Sequence, residues 1–286
     1  MNLDFVNGQQ FKAKVKKRAL DEHISPQILM QEIVLDEIVE RIAKSKYRDN
    51  LVLKGGFLIA SLLGVDTRST RDIDTSVTGI DVSRDEIESV FKFIIDMNTY
   101  DDSVYLKLER IEDIRSSAEY SGFRIHIKAL VFNSKVQTKI DVSTGDVITP
   151  KQITYTHHML FTDESVVVQA YNLETILAEK LETIVTRREL NTRLKDYYDV
   201  YMFDKLETRN IDFSLLKKAI IATASVRNSD SIIGQYGETI LQIKQSLDLK
   251  KLWNKYQSNN EYAQNIRFED TCDAALDVIE QCGIDK

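Results

Sequence analysis

The sequence predicts an α+β protein, with a mixed helix-and-strand N-terminal part followed by a helical C-terminal part. Three observations carry this. A well-capped helix starts at Ser25-Pro26, runs of β-branched and aromatic residues punctuated by turns fill residues 103 to 143, and the pattern becomes helical from Asn172 onward. The composition shift near residue 165 divides the chain into parts spanning 1–165 and 166–286.

In "SPQILMQEIVLDEIVERIAKSKY" (25–47), Ser25 is a capping residue, Pro26 takes the first helical position, and apolar residues recur at helical spacing. "NLVLKGG" reads as a short strand ending in two glycines, and "FLIASLLG" as a short helix closed by Gly64. "RSTRDIDTSV" (68–77) reads as a strand, and "SRDEIESVFKFIIDMN" (83–98) as a helix capped by Ser83. Three strands follow, "SVYLKLERI", "FRIHIKALVF" and "VQTKIDVST", with Ser121-Gly122 and Asn133-Ser134 between them. "ESVVVQAY" (164–171) reads as a last strand. His157 and His158 fall in a loop or strand edge without a partner at ligand spacing, so they read as structural or surface residues and not metal ligands.

The 286 residues, 43% of them hydrophobic, suffice for one large domain or two modest ones, each with its own core. The net charge of -7 argues against a general nucleic-acid-coating surface, although "KAKVKKR" (12–18) and "RRELNTRLK" (187–195) leave room for a local basic channel. The start of the chain lacks the apolar core of a signal peptide, and no run of about 18 apolar residues occurs, so a cytoplasmic protein without membrane contact is expected. Cys272 and Cys282, ten residues apart on one predicted helix, form neither a zinc spacing nor a disulfide framework and read as reduced thiols.

Asp72 and Asp74 are two apart in a strand, so both side chains leave the same face. Two such carboxylates repel unless a cation lies between them or one is protonated. The pair is therefore either a solvated strand face or an oxygen-rich site for Mg²⁺ or Mn²⁺, ions that in turn hold nucleotide phosphates. Upstream, Gly55 and Gly56 lie between a strand and a helix, where backbone N–H groups can approach a phosphate; the stretch lacks the spacing of a P-loop or a dinucleotide fingerprint. Downstream, "TKIDVSTGD" sets Asp141 in a strand, the third carboxylate that a two-metal phosphoryl-transfer site requires. In "ILAEKLETIVTRR" the apolar stripe leaves Lys180 outside it, and in "RLKDYYDVY" Asp196 and Asp199 share a helical face beside Lys195.

These separated motifs, in this order, resemble the nucleotidyltransferase superfamily with the polymerase-β-like fold, and within it the AbiEii/AbiGii group over roughly residues 45 to 205. The resemblance implies residues 1–165 as a nucleotidyltransferase domain with N-terminal helices and a mixed sheet flanked by helices. It implies 166–286 as a helical domain completing the active-site cleft. It further implies the toxin of a type IV toxin–antitoxin, abortive-infection system giving phage resistance, countered by an antitoxin that need not bind it directly. Asp72, Asp74 and Asp141 would be the metal ligands. Lys180 would neutralise triphosphate charge, and Asp196 would orient the acceptor or hold the lysine, with Lys195 and Asp199 as neighbours. Gly55, Gly56, Ser69, Thr70, Arg71, Lys180 and Lys195 are the expected nucleotide contacts. Tyr197 and Tyr198 offer a ring either to stack on a base or to pack between helices.

The expected activity is metal-dependent transfer of NMP from an NTP, with GTP the assumed base, to RNA (a tRNA 3′ end among the choices) or to a protein hydroxyl, by a monomer. A small-molecule, antibiotic-type nucleotidyltransferase is the alternative enzyme, and it would need an acidic pocket for a cationic substrate. A catalytically silent nucleotide-binding module is the alternative outside enzymes.

Overall fold

The computed structural model describes residues 3–64, 68, 70–97, 103–114 and 122–284. The chain forms two compact units, Met1–Gly145 with Ile153–Ala170, and Asp146–Gln152 with Tyr171–Lys286. The first unit contains helices α1 (Gly8–Asp21) and α2 (Pro26–Lys44), strand β1 (Leu51–Lys54), α3 (Gly55–Leu63), β2 (Asp72–Val77) and α4 (Arg84–Ile95). Strands β3 (Val104–Ile114), β4 (Gly122–Val131), β5 (Ser134–Ser143), β6 (Ile153–His158) and β7 (Ser165–Ala170) complete it.

The strands form one mixed sheet in the order β3-β4-β5-β2-β1-β7-β6. β2 runs parallel to β5 and antiparallel to β1, and β1 runs parallel to β7. The α+β class and the mixed sheet flanked by helices are as the sequence predicts. The glycine pair opens α3 instead of ending the strand, β2 starts at Asp72 and not before it, and α4 ends at Ile95. Ile153–His158 is an additional edge strand, paired antiparallel with β7. The caps read from sequence form: Ser25 Oγ accepts from the Ile28 N–H and Ser83 Oγ from the Glu86 N–H.

α2 is buried along most of its length, and it takes charges into the core with it: Glu32, Asp36, Glu37, Glu40 and Arg41. Buried charges persist only where they are paired. Arg41 meets Glu37 and donates to the carbonyls of Ile95 (2.6 Å) and Val104 (3.3 Å), tying α2 to the end of α4 and the start of β3. Asp36 accepts from the Leu160 N–H (2.6 Å) and faces His157 Nε2 at 2.8 Å, while His157 Nδ1 lies 2.8 Å from Ser61 Oγ. His157 is therefore a structural histidine of the core, locking α2, α3 and β6 together.

Glu32 accepts a long bond from the Thr70 N–H (3.4 Å), and burial, reinforced by the charge of Asp36, pushes its carboxyl up to about 8. In the unfolded chain a glutamate ionises near 4.5. Between these two values the folded protein holds the proton and the unfolded chain does not, so stability falls as pH rises through this window. The contribution of Glu32 to that fall is at most about 5 kcal/mol. Urea unfolding at a series of pH values should show this slope in the wild type and a flatter profile in Glu32→Gln. An unchanged slope in the variant would remove Glu32 as its source.

The second unit is helical: α5 (Leu173–Arg187), α6 (Leu194–Glu207), α7 (Phe213–Val226), α8 (Asp230–Ile233), α9 (Tyr236–Gln245), α10 (Leu247–Asn259) and α11 (Phe268–Cys282), with 3-10 turns between some of them. Asn172 caps α5 by accepting from the Thr175 N–H. The core gathers Trp253, Phe268, Tyr197 and Tyr198. Tyr197 lies 5.3 Å from the Phe268 ring and Tyr198 4.8 Å from Tyr262, so both tyrosines take the packing role and neither presents a face to a base. Cys272 and Cys282 are free and buried on α11, and burial raises both thiols, to about 12 and about 11. No helix among the described residues is long and apolar enough to cross a membrane.

Candidate active site

In the first unit, β2 carries Asp72 and Asp74 on one face, with Ile73 fully buried on the other. The parallel register with β5 sets Asp74 opposite Asp141 and Asp72 opposite Lys139, so all four side chains share that face. The antiparallel register with β1 sets Lys54 opposite Asp74, which brings the following glycines against the carboxylate.

Gly55 has φ +66, and a Cβ there would lie 2.0 Å from Asp74 Oδ2 and 2.7 Å from its Cβ and Cγ. Only glycine meets both demands at this position. The Gly56 N–H points at Asp74 Oδ2 (3.4 Å), and the N-cap residue Lys54 supplies no side-chain cap to α3. Gly55→Ala is expected to displace Asp74 and to cost on the order of 1–3 kcal/mol, because strain and collision act together. Gly56→Ala, whose Cβ meets chiefly Thr70 Oγ1 at 2.9 Å, should be milder. Thermal unfolding and transfer assays on the two variants check this; equal, small losses would refute it.

The remaining contacts are electrostatic. Thr70 Oγ1 donates toward Asp72 Oδ1 (3.2 Å) and the Asp72 carbonyl (3.3 Å). Lys139 Nζ lies 3.2 Å from Asp72 Oδ2 and 3.8 Å from Asp141 Oδ2. Arg124 donates to both oxygens of Asp141, at 2.8 and 2.7 Å, and that bidentate bond raises the guanidinium still further. These two cations are absent from the sequence reading. Among the described residues no group of three His, Cys, Asp or Glu side chains converges to hold a metal. The hard oxygen donors of Asp72 and Asp74 suit a divalent cation such as Mg²⁺, whereas Asp141, as arranged here, is the partner of Arg124. Ser69 lies outside the described residues. Arg71 is exposed, and its carbonyl accepts from Gln31 Nε2 (2.9 Å) and Thr138 Oγ1 (3.0 Å).

In the second unit, Lys180 on α5 donates to Asp196 Oδ1 (2.9 Å) and Asp199 Oδ2 (2.7 Å) on α6. Both aspartates, at 2% and 0% exposure, hold the one lysine, whose side chain is 11% exposed. Arg193 Nε approaches Asp196 Oδ2 at 3.1 Å, although the angle makes this an ion pair and not a hydrogen bond. Lys195 is half-buried on α6. Buried Glu182 and Ser229, with the exposed Arg227, join α5 to the end of α7.

Comparison with known families adds the decisive observation. The family of the nucleotidyl transferase AbiEii toxin of type IV toxin–antitoxin systems matches residues 37–278. The chain belongs to the AbiEii family. Its members are toxin nucleotidyltransferases, and this AbiEii protein is accordingly a nucleotidyltransferase. Its fold is similar to that of a candidate nucleotidyltransferase from H. pylori, at 13% identity and TM-score 0.50, with 91% of this chain and 95% of that one covered. JHP933 from Helicobacter pylori aligns at 14% identity and TM-score 0.49, over 91% and 94% of the two chains. No curated protein matches the chain. The AbiEii match spans the glycine turn, the carboxylate strands and the Lys180 helices, and it starts within α2.

Proposed function

We propose that this AbiEii protein transfers NMP from an NTP, GTP by preference, to an acceptor hydroxyl on RNA (a tRNA 3′ end among the candidates) or protein, forming the new phosphoester bond as the α–β anhydride breaks and pyrophosphate and the hydroxyl proton leave, and that this transfer arrests growth. The observation that carries the reading is the close fit of Gly55 against Asp74, which sets the start of α3, with its Gly56 N–H on Asp74 Oδ2, beside paired carboxylates. Amides of that kind favour phosphate oxygens, and carboxylates of that kind favour a hard divalent cation. Asp72 and Asp74 are the proposed holders of Mg²⁺ or Mn²⁺, with Asp141 joining them when Arg124 lets go. The ion, when bound, would supply charge neutralisation for the phosphates and activation of the incoming hydroxyl.

The chain's own groups have separate tasks. Gly55 and Gly56 present N–H groups to a phosphate, Thr70 orients Asp72, and Lys139 offsets the repulsion among the carboxylates. Lys180 is the proposed phosphate-neutralising cation, held ready by Asp196 and Asp199, with Lys195 as its neighbour. The antitoxin is expected to act without direct binding, and the enzyme to act as a monomer in the cytoplasm.

The test is incubation with each α-labelled NTP, Mg²⁺ and total cell RNA and protein. Label should enter one acceptor class, with most incorporation from GTP. Tight NTP binding without transfer to any macromolecule would overturn the reading in favour of a silent nucleotide-binding module.

A further inference from the structure

A groove of about 750 Å³ in the first unit is lined by α1, α2 and the start of β5, together with Arg71, the residue before Asp72. Among the described residues three cations line it, Lys12, Arg71 and Lys135, and no carboxylate does. All three are exposed, and none forms an ion pair among the described residues. The cations beside the carboxylates and on α5, Arg124, Lys139 and Lys180, by contrast all sit against aspartates. Like charges gathered along one groove raise the local positive potential, which a polyanion would neutralise. Between the cations, Val15 and Met30 supply apolar surface and Gln27 and Gln137 supply amides. This is a wall suited to bases and ribose hydroxyls as well as to phosphates.

The groove is joined to the carboxylate strand by structure and not by proximity alone. Gln31, on the groove wall, donates to the Arg71 carbonyl, and Thr138 on β5 donates to the same oxygen. A strand seated against Arg71 therefore meets a backbone position fixed one residue from Asp72. The α1 and α2 residues of the lining precede the span matched by the AbiEii family, which begins at residue 37.

We propose that this groove binds a single-stranded segment of RNA, and so delivers the acceptor strand of the transfer reaction to the carboxylates; the delivery rests on the nucleotidyl-transfer reading, the binding does not. Each phosphate contact to a single strand contributes about 0.7 to the slope of log affinity against log salt.

The experiment follows fluorescence anisotropy of a short fluorescein-labelled single-stranded RNA across a salt titration, without NTP. Lys12→Glu/Lys135→Glu is expected to weaken binding by about tenfold or more and to lower the salt slope by about 1.4. The control Lys14→Glu/Lys151→Glu makes the same change in net charge at exposed positions outside the groove, and it should bind like the wild type. Unlabelled polyglutamate should compete poorly. The proposal is overturned by an unaffected groove variant, by an equally weakened control, or by polyglutamate that displaces the RNA as well as RNA does, which would point to an acidic protein segment. NTP binding, measured by titration calorimetry on the same samples, keeps the two readings apart. A wild type that binds RNA through the groove but no NTP loses the nucleotidyl-transfer reading alone.

Discussion

The Asp72→Ala/Asp74→Ala double variant loses nucleotidyl transfer by about 10³-fold or more and no longer arrests growth, while it remains folded. The size follows from the role. A carboxylate pair that holds a divalent cation secures several kcal/mol of charge stabilisation in the transition state, and each 1.4 kcal/mol or so is about tenfold in rate. The fold should survive because both side chains are on the open face of β2, while Ile73 and the paired backbones of β1 and β5 carry the strand. Lys139 would still have Asp141 at 3.8 Å. Transfer of label, growth after induction and thermal unfolding are measured together. Asp72→Asn is the sharper control, since it keeps an acceptor for Thr70 Oγ1 and removes the charge. Full toxicity in the double variant would end the metal-site reading.

The second large effect belongs to Lys180. Lys180→Met leaves Asp196 and Asp199 without the ammonium that both accept from, in a place where they are 2% and 0% exposed. Removing one partner of a buried ionic group typically costs about 3–5 kcal/mol, far more than the group itself contributes, because the remaining charge has no water to turn to. Arg193 stands near Asp196 and offsets part of that cost. Loss of activity in this variant alone would thus be ambiguous between unfolding and chemistry. The triple variant Lys180→Met/Asp196→Asn/Asp199→Asn resolves it by removing the charges as a set. It should recover most of the stability in urea unfolding and none of the transfer. Recovered transfer in the triple variant would assign Lys180 to holding α5 and α6 together and nothing more.

How much of this was legible in the sequence depends on the range of the interaction. The caps at Ser25, Ser83 and Asn172 are contacts within a few residues and follow from residue type. The shared face of Asp72 and Asp74 follows from the two-residue period of a strand. Arg124 was within reach but needed an exact register. The β4–β5 hairpin pairs Val131 with Ser134 across a two-residue loop, and counting back from there sets Arg124 opposite Asp141. A loop one residue longer would have turned Arg124 to the other face, so the hairpin had to be placed before the pair could be seen. Lys139, two residues before Asp141, shares its face by the same period and needed no such placement.

The sequence by itself determined most of the elements between α2 and α6 and the motifs that mark an AbiEii nucleotidyltransferase, because helix starts, strand periods and glycine turns are written in neighbouring residues; α1 and β6 were not read from it. Only the tertiary structure decided which charges meet. Gly55 pressed against Asp74, Arg124 holding Asp141, His157 seated on Asp36, and three cations gathered along one groove all join residues distant along the chain. A charge acts through space with whatever folding brings within a few ångströms, and local sequence carries no record of that distance.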